Sequence, residues 1–177
     1  LDSLAVKSGV AFTAIAAAGA ASVKSYGDLE ARANQLQAIA GATATEMDQL
    51  NQKAIQLGES SKYTSTQVHD ANVELARLGF TSAEIAESID GVVAAAAASG
   101  EGLSLAGELV AGTVRGFGLA AKDASYVADV MAKAANVSAL SFHDLQLSMK
   151  YVAPVASSAN QSLEDMAAIL AVLSNNM

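Results

Sequence analysis

Cysteine and tryptophan are absent from this chain of 177 residues, and proline occurs once, at Pro154. Without cysteine there is no disulfide framework, no thiolate zinc site and no cysteine nucleophile. Aromatic residues amount to only 5%, although apolar residues reach 52%. Positive charge is scarce as well. Ten Lys and Arg stand against eighteen Asp and Glu, a net charge of -8, and no basic cluster relieves it locally. That balance disfavours nucleic-acid binding through phosphate neutralisation.

What fills the chain instead is alanine, 40 residues of the 177. Alanine is the best helix former and a poor strand former, so the composition points to an all-α protein. Apolar stripes at helical spacing agree: Leu29, Ala33, Leu36 and Ala40, then Met47, Leu50, Ala54 and Leu57. Others are Val68, Ala71, Leu75 and Leu78, and Ile85, Ile89, Val92 and Ala96. Two more follow, at Tyr126, Val130, Ala134 and Val137, and at Leu163, Met166, Leu170 and Leu173. Each stripe is one apolar face that needs a partner.

Helix starts are legible. Thr81 with Glu84 and Thr64 with Gln67 have capping-box spacing, and Ser141 with Asp144 and Ser162 with Asp165 place a shorter carboxylate there. Gly58, Gly79, the turns at 100–102 and 116–118, and Asn136 read as stops, and Pro154 as the end or kink of a helix. The expected fold is an array of seven to eight short helices in antiparallel hairpins. No exact repeat is present, although a cap, a stripe and a glycine recur loosely.

An Ala-rich leader at 1–25 is expected to precede a helical region at 26–177. Ser8 to Val23 carries no charge between Lys7 and Lys24. Sixteen helical residues reach about 24 Å, against a hydrocarbon core of about 30 Å. The rival readings are a membrane span, a signal peptide cleaved after Ala18-Gly19-Ala20, and a buried or self-associating helix.

Candidate chemistry is thin. His69-Asp70 and His143-Asp144 suggest a metal-dependent phosphohydrolase, but such a site needs further ligands of the right type from other helices. Glu84 with Glu87, and Glu101 with Glu108, are possible acid and base pairs that lack an apolar wall to separate their pKa values. Gly112, Gly116 and Gly118 have no preceding strand to make a dinucleotide fingerprint. Phe80, Phe117 and Phe142 sit near turns and read as staples of helix ends. No residue is assigned a catalytic, cofactor-binding or metal-binding role, no cofactor is expected, and nothing argues for an enzyme.

The order of segments nevertheless resembles the core region of phage tail tape measure proteins. The likeness begins with Asp28-Leu29-Glu30, runs through Ala54-Ile55-Gln56-Leu57-Gly58 and Tyr63 to Val68, and continues with Leu75 to Thr81, Glu84 and Ile85. It resumes at Phe117-Gly118-Leu119, Ala124, Val127 to Val130, and Ala134-Ala135. Tyr151 to Ala156, and Glu164 through Ala171 with Leu173 and Ser174, close it. Covering about 26–177, the resemblance identifies the chain as a piece of such a protein, stopping before its C-terminal end. It implies a structural role in the lumen of a tail assembled in the host cytoplasm, where protein length sets tail length and scaffolds the tube. It also implies self-association, contact with tube, tip and assembly-chaperone proteins, and expulsion ahead of the DNA with host-membrane contact. The alternative from another class is a secreted or membrane-active helical protein whose leader enters a bilayer.

Overall fold

The computed structural model describes residues 33–176, and the expected leader at 1–25 lies outside them. Helical backbone over 33–40 ends at Gly41, whose φ of 63° is the left-handed region that glycine enters without strain. Seven α-helices follow: α1 (Ala44–Ser60), α2 (Ser65–Arg77), α3 (Ser82–Ser99), α4 (Leu103–Phe117), α5 (Ala124–Val137), α6 (Phe142–Ser158) and α7 (Leu163–Asn175). A single 3₁₀ turn at Ala121–Asp123 leads into α5. Among the described residues there is no strand, and the all-α expectation holds.

Local chemistry sets the boundaries. Thr64, Thr81 and Ser141 each form a complete capping box with Gln67, Glu84 and Asp144. The Ser162 hydroxyl accepts from the Asp165 amide, and an additional box joins Thr43 to Glu46. Gly100 and Gly118 end α3 and α4 in the left-handed conformation. Gly58 does not stop its helix, α1, which runs on to Ser60, and Pro154 does not end the one that carries it, α6, which continues to Ser158. Proline removes one backbone donor there, yet Met149, Ala153 and Ala156 on the same helix are buried. Tertiary packing overrides the local break.

Three or four residues join consecutive helices, except that six, including the 3₁₀ turn, join α4 to α5, so the chain turns back within a short connection each time. Each helix packs on the next and also on the next but one. The odd helices α1, α3, α5 and α7 therefore form one layer, and α2, α4 and α6 form the other. The tightest pairings are within layers, α3 on α5 and α4 on α6. Close approach there depends on glycine: a Cβ at Gly91 would lie 2.6 Å from the Ser125 amide nitrogen, and one at Gly116 would lie 2.6 Å from Ala153 Cβ.

Hydrogen bonds repeat the same step. The Tyr63 hydroxyl donates to the Glu101 carbonyl, Gln146 Nε2 to Glu108, and Asn175 Nδ2 to the Val137 carbonyl, each across 38 residues. The core is continuous and built largely from Leu, Ile, Val and Ala. The stripe at Ile85, Ile89, Val92 and Ala96 is buried as expected, as are Met47, Leu50 and Ala54, and Val68, Ala71 and Leu75, whereas Leu57 is half-buried and Leu78 is exposed. The α5 stripe departs from expectation. Its buried face is Ala124, Val127, Ala128, Met131 and Ala134, leaving Tyr126 and Val137 exposed. On α7 the buried line is Leu163, Ala167 and Ala171, and Leu173 faces outward.

Candidate functional site

The two His-Asp pairs lie in unlike places. His69, on α2, is fully buried, and neither ring nitrogen has a hydrogen-bond partner. Burial holds its imidazole below the usual histidine range, although neighbouring Asp70 pulls the other way. His143 is exposed on the first turn of α6. Its neighbour Asp144 takes the Ser141 amide at 2.9 Å and the Ser141 hydroxyl at 2.6 Å, which lower its pKa. Among the described residues, no three His, Asp or Glu side chains gather where they could hold a metal ion.

The carboxylate pairs are similarly dispersed. Glu84 receives the Thr81 amide at 2.8 Å and Arg115 Nη2 at 3.1 Å, and the Thr81 backbone bond is the main cause of its lowered pKa. Glu87 is exposed on α3. Glu101 sits in the α3–α4 turn, while the Glu108 carboxylate accepts from Gln146 at 3.2 Å. Gly112 and Gly116 are interior to α4 and Gly118 is its C-cap, so they form no phosphate-cradling loop.

Aromatic and cationic groups do structural work. Phe80 and Phe142 are buried and Phe117 is half-buried against the core. Arg115 lies 4.4 Å from the Phe80 ring centre, donates to the Gly79 carbonyl at 2.8 Å and pairs with Glu84. One guanidinium thus ties α4 to the α2–α3 turn. Nothing in the local sequence marks this residue, because its partners are 31 and 36 residues away.

Open grooves remain, among them one of about 370 Å³ beside Phe117, Leu119, Tyr126, Ser157 and Gln161, and two between helix faces. The first of these two, of about 300 Å³, runs between Val130, Ala134 and Val137 of α5 and Ala167, Ala168 and Ala171 of α7. Glu164 borders it, and the Tyr126 hydroxyl donates to that carboxylate. The bond pushes the phenol up to about 12 and holds the carboxyl below its ordinary range. The second, of about 320 Å³, lies among α2, α4 and α6 with Arg77, Glu108 and Gln146 around it. Arg77 is paired with Glu74, and Glu108 with Gln146. Neither groove brings a nucleophile to a base.

Caps and surface pairs hold Glu46, Glu84, Asp144, Asp165 and Arg115, and several large apolar side chains stand exposed beside them. The fold places the chain in the class of all-α, helix-packing proteins. The chain is a member of the phage-related minor tail protein family, whose model matches residues 51–177. It is also similar to the tape measure protein of Pneumococcus phage Dp-1, at 38% identity over 156 residues. That alignment covers 88% of this chain and 14% of the phage protein, so the chain spans a small part of that relative. No solved structure matches. Membership makes the chain part of a phage tail protein. It lends no support to the secreted, membrane-active alternative. That reading rests on residues 1–25, and among the described residues no helix is long and apolar enough to cross a membrane.

Proposed function

We propose that this chain is a compact helical element of a tail tape measure protein, one that works by occupying space and packing, not by catalysis. In this reading the parent polypeptide lies in the lumen of the growing tail, and tube subunits polymerise around it. Its length sets the tail length, and it leaves ahead of the DNA at infection. Self-association, contact with tube, tip and assembly-chaperone proteins, and host-membrane contact at ejection belong to the same proposal. So does the division into a leader at 1–25 and a helical region at 26–177.

The observation that carries this reading is the likeness to a tape measure protein along 88% of the chain. The fold then bears on how such a segment would measure. Residues 44–175 in one continuous helix would span about 200 Å at 1.5 Å per residue. Stacked in two layers with interaxial spacings of about 8–10 Å, the same residues span only about 40 Å along the array. A compact segment is a poor ruler.

In-frame duplication of residues 44–175 in the phage, followed by electron microscopy of purified tails, tests both points. The expected result is tails lengthened by no more than about 40 Å. Lengthening near 200 Å would show that the segment is extended inside the tail. Absence of the polypeptide from purified tails by mass spectrometry would overturn the tape-measure reading itself.

A further inference from the structure

The array has a period that the sequence alone does not display. N-caps two helices apart are Thr43 and Thr81, Thr64 and Gly102, Thr81 and Asp123, Gly102 and Ser141, and Asp123 and Ser162. Their separations are 38, 38, 42, 39 and 39 residues. Helix pairs repeating at such a period form an open-ended stack, in which each unit covers the apolar edge of the one before. A stack that stops needs a last unit with a polar outer face.

The early side largely meets that requirement. On α1, Asp48, Gln49, Gln52, Gln56 and Glu59 are exposed, and Ile55 stands among them at 43%. The late helices do not. On α6, Leu147, Tyr151 and Val155 form a line spaced by four residues, at 45%, 72% and 67% exposure. This line lies about 200° around the helix from buried Leu145, Met149 and Ala153. It therefore faces away from α4, at the free edge of its layer. On α7, Ile169, Val172 and Leu173 are 47%, 61% and 55% exposed, opposite the Ala167 and Ala171 line that faces α5. Past its first turn α7 has no charge on any side. A helix apolar all round is one built to be covered on both faces, as α3 and α4 are here.

We infer that the outer edges of α6 and α7 are the docking surface for a further helix pair of the same polypeptide, which continues the two-layer stack by one more period. The spacing sets the register. The next N-caps fall about 39 residues after Ser141 and Ser162, near positions 180 and 201 of the parent reading frame. The first new helix covers Leu147, Tyr151 and Val155, and the second covers Ile169, Val172 and Leu173. The similar Dp-1 tape measure protein is far longer than the part that matches, 14% of its length, and so has ample chain for such a pair. The inference holds whether or not the polypeptide lies in a tail lumen.

These 177 residues have no cysteine, and peptide mass spectrometry reads each introduced cysteine separately in the parent polypeptide. Val155→Cys, Ile169→Cys and Val172→Cys are made singly, in this chain and in the whole parent polypeptide. Labelling by iodoacetamide is timed at concentrations where light scattering shows monomers, with exposed Gln52→Cys as the reference. The expected result is labelling at least about tenfold slower in the whole polypeptide at all three sites, with the reference unchanged. Circular dichroism of each variant identifies any that misfolds, and the other two sites then carry the measurement. Equal rates in both forms would overturn the inference, as would a reading frame with no helices near positions 180 and 201. Protection that grows with the concentration of the 177-residue chain would assign the surface to a second copy instead.

Discussion

Replacing Gly91 with alanine sets two ordinary effects against each other, and the structure decides which wins. Gly91 is buried inside α3, where glycine is normally a liability. Alanine at an unhindered interior helical position gains about 0.8–1 kcal/mol from propensity alone. A Cβ at Gly91, however, would lie 2.6 Å from the Ser125 nitrogen, 2.7 Å from the Ala124 carbonyl carbon and 2.8 Å from Ser125 Cα. All three are backbone atoms of the facing helix start, so no rotamer change relieves the clash. Restoring van der Waals contact needs α3 and α5 to part by roughly an ångström, and a gap of that size forfeits a quarter to a half of each flanking contact. Overpacking of this kind costs about 1–3 kcal/mol, and the lack of a flexible neighbour puts Gly91→Ala at the upper end. The net expectation is a loss of about 2 kcal/mol, or about 4–8 °C in Tm for a domain of this size. Gly112→Ala is the matched control. That glycine is exposed in α4, with nothing within 4 Å of its would-be Cβ. It should gain about 0.8–1 kcal/mol. Urea titrations followed by circular dichroism, with unchanged m-values, give both numbers. A Gly91→Ala protein as stable as the parent, or a destabilised Gly112→Ala protein, would refute the argument that glycine is needed at this crossing.

Other expectations follow from single side chains. Arg115→Ala removes the Phe80 contact, the Gly79 carbonyl bond and the Glu84 pair together. It should lower the urea midpoint by the equivalent of about 1–2 kcal/mol. Arg77→Ala removes only an exposed pair with Glu74 and should stay within about 0.5 kcal/mol. For His69 the folded state holds the imidazole neutral, with its pKa lowered by burial. The unfolded chain binds a proton near pH 6.5, so it carries more protons than the folded chain just below that value. Stability tied to His69 is therefore complete above about pH 6.5 and is lost as pH falls below it. His69→Leu should leave stability at pH 7.5 nearly unchanged or raised, because the ring nitrogens have no partner to orphan. It should also flatten the fall in urea midpoint between pH 6.5 and 5.5. The same slope in both proteins would exclude His69 as its source.

Local signals in this sequence are reliable, and signals that depend on contrast are weaker. Thr64, Thr81, Ser141 and Ser162 mark true helix starts because a cap is satisfied within three residues. The stripe on α3 is right because Ile85, Ile89 and Val92 stand out from their neighbours. On α5 the contrast disappears: with Ala124, Ala128, Ala132, Ala134 and Ala135 scattered around the helix, several faces look equally apolar. Tyr126 and Val137 drew the stripe onto an edge that the fold leaves exposed. At Pro154 the helix runs on, for the opposite reason. A strong local rule was overruled by burial of Ala153 and Ala156 on either side of it. The period near 38 residues lies in cap positions occupied by Thr, Gly, Asp and Ser in turn, and no residue-by-residue comparison detects that. Arg115 and the Asn175 side chain act through bonds whose partners only the folded chain brings near.

The stacked arrangement also bears on the tension between a compact segment and a protein expected to measure length and then leave through a narrow channel. About 39 residues advance the array by one interaxial spacing, near 10 Å, where one helix of the same length would advance about 60 Å. Folded, the segment measures little, so under the function proposed above length is set by other parts of the polypeptide. Yet nothing in the stack is topologically locked. Its ties, such as Tyr63 to Glu101 and Asn175 to Val137, reach no further than the neighbouring repeat, and no disulfide closes a loop across them. A chain whose contacts are all between adjacent units opens from an end, one pair at a time, and never has to break its whole core at once. The close glycine crossings at Gly91 and Gly116 strengthen each interface without lengthening its reach. In the proposed function such an array holds together by contacts between neighbouring pairs and opens from an end. That combination suits a segment that rests folded during assembly and is drawn out in the expulsion proposed above.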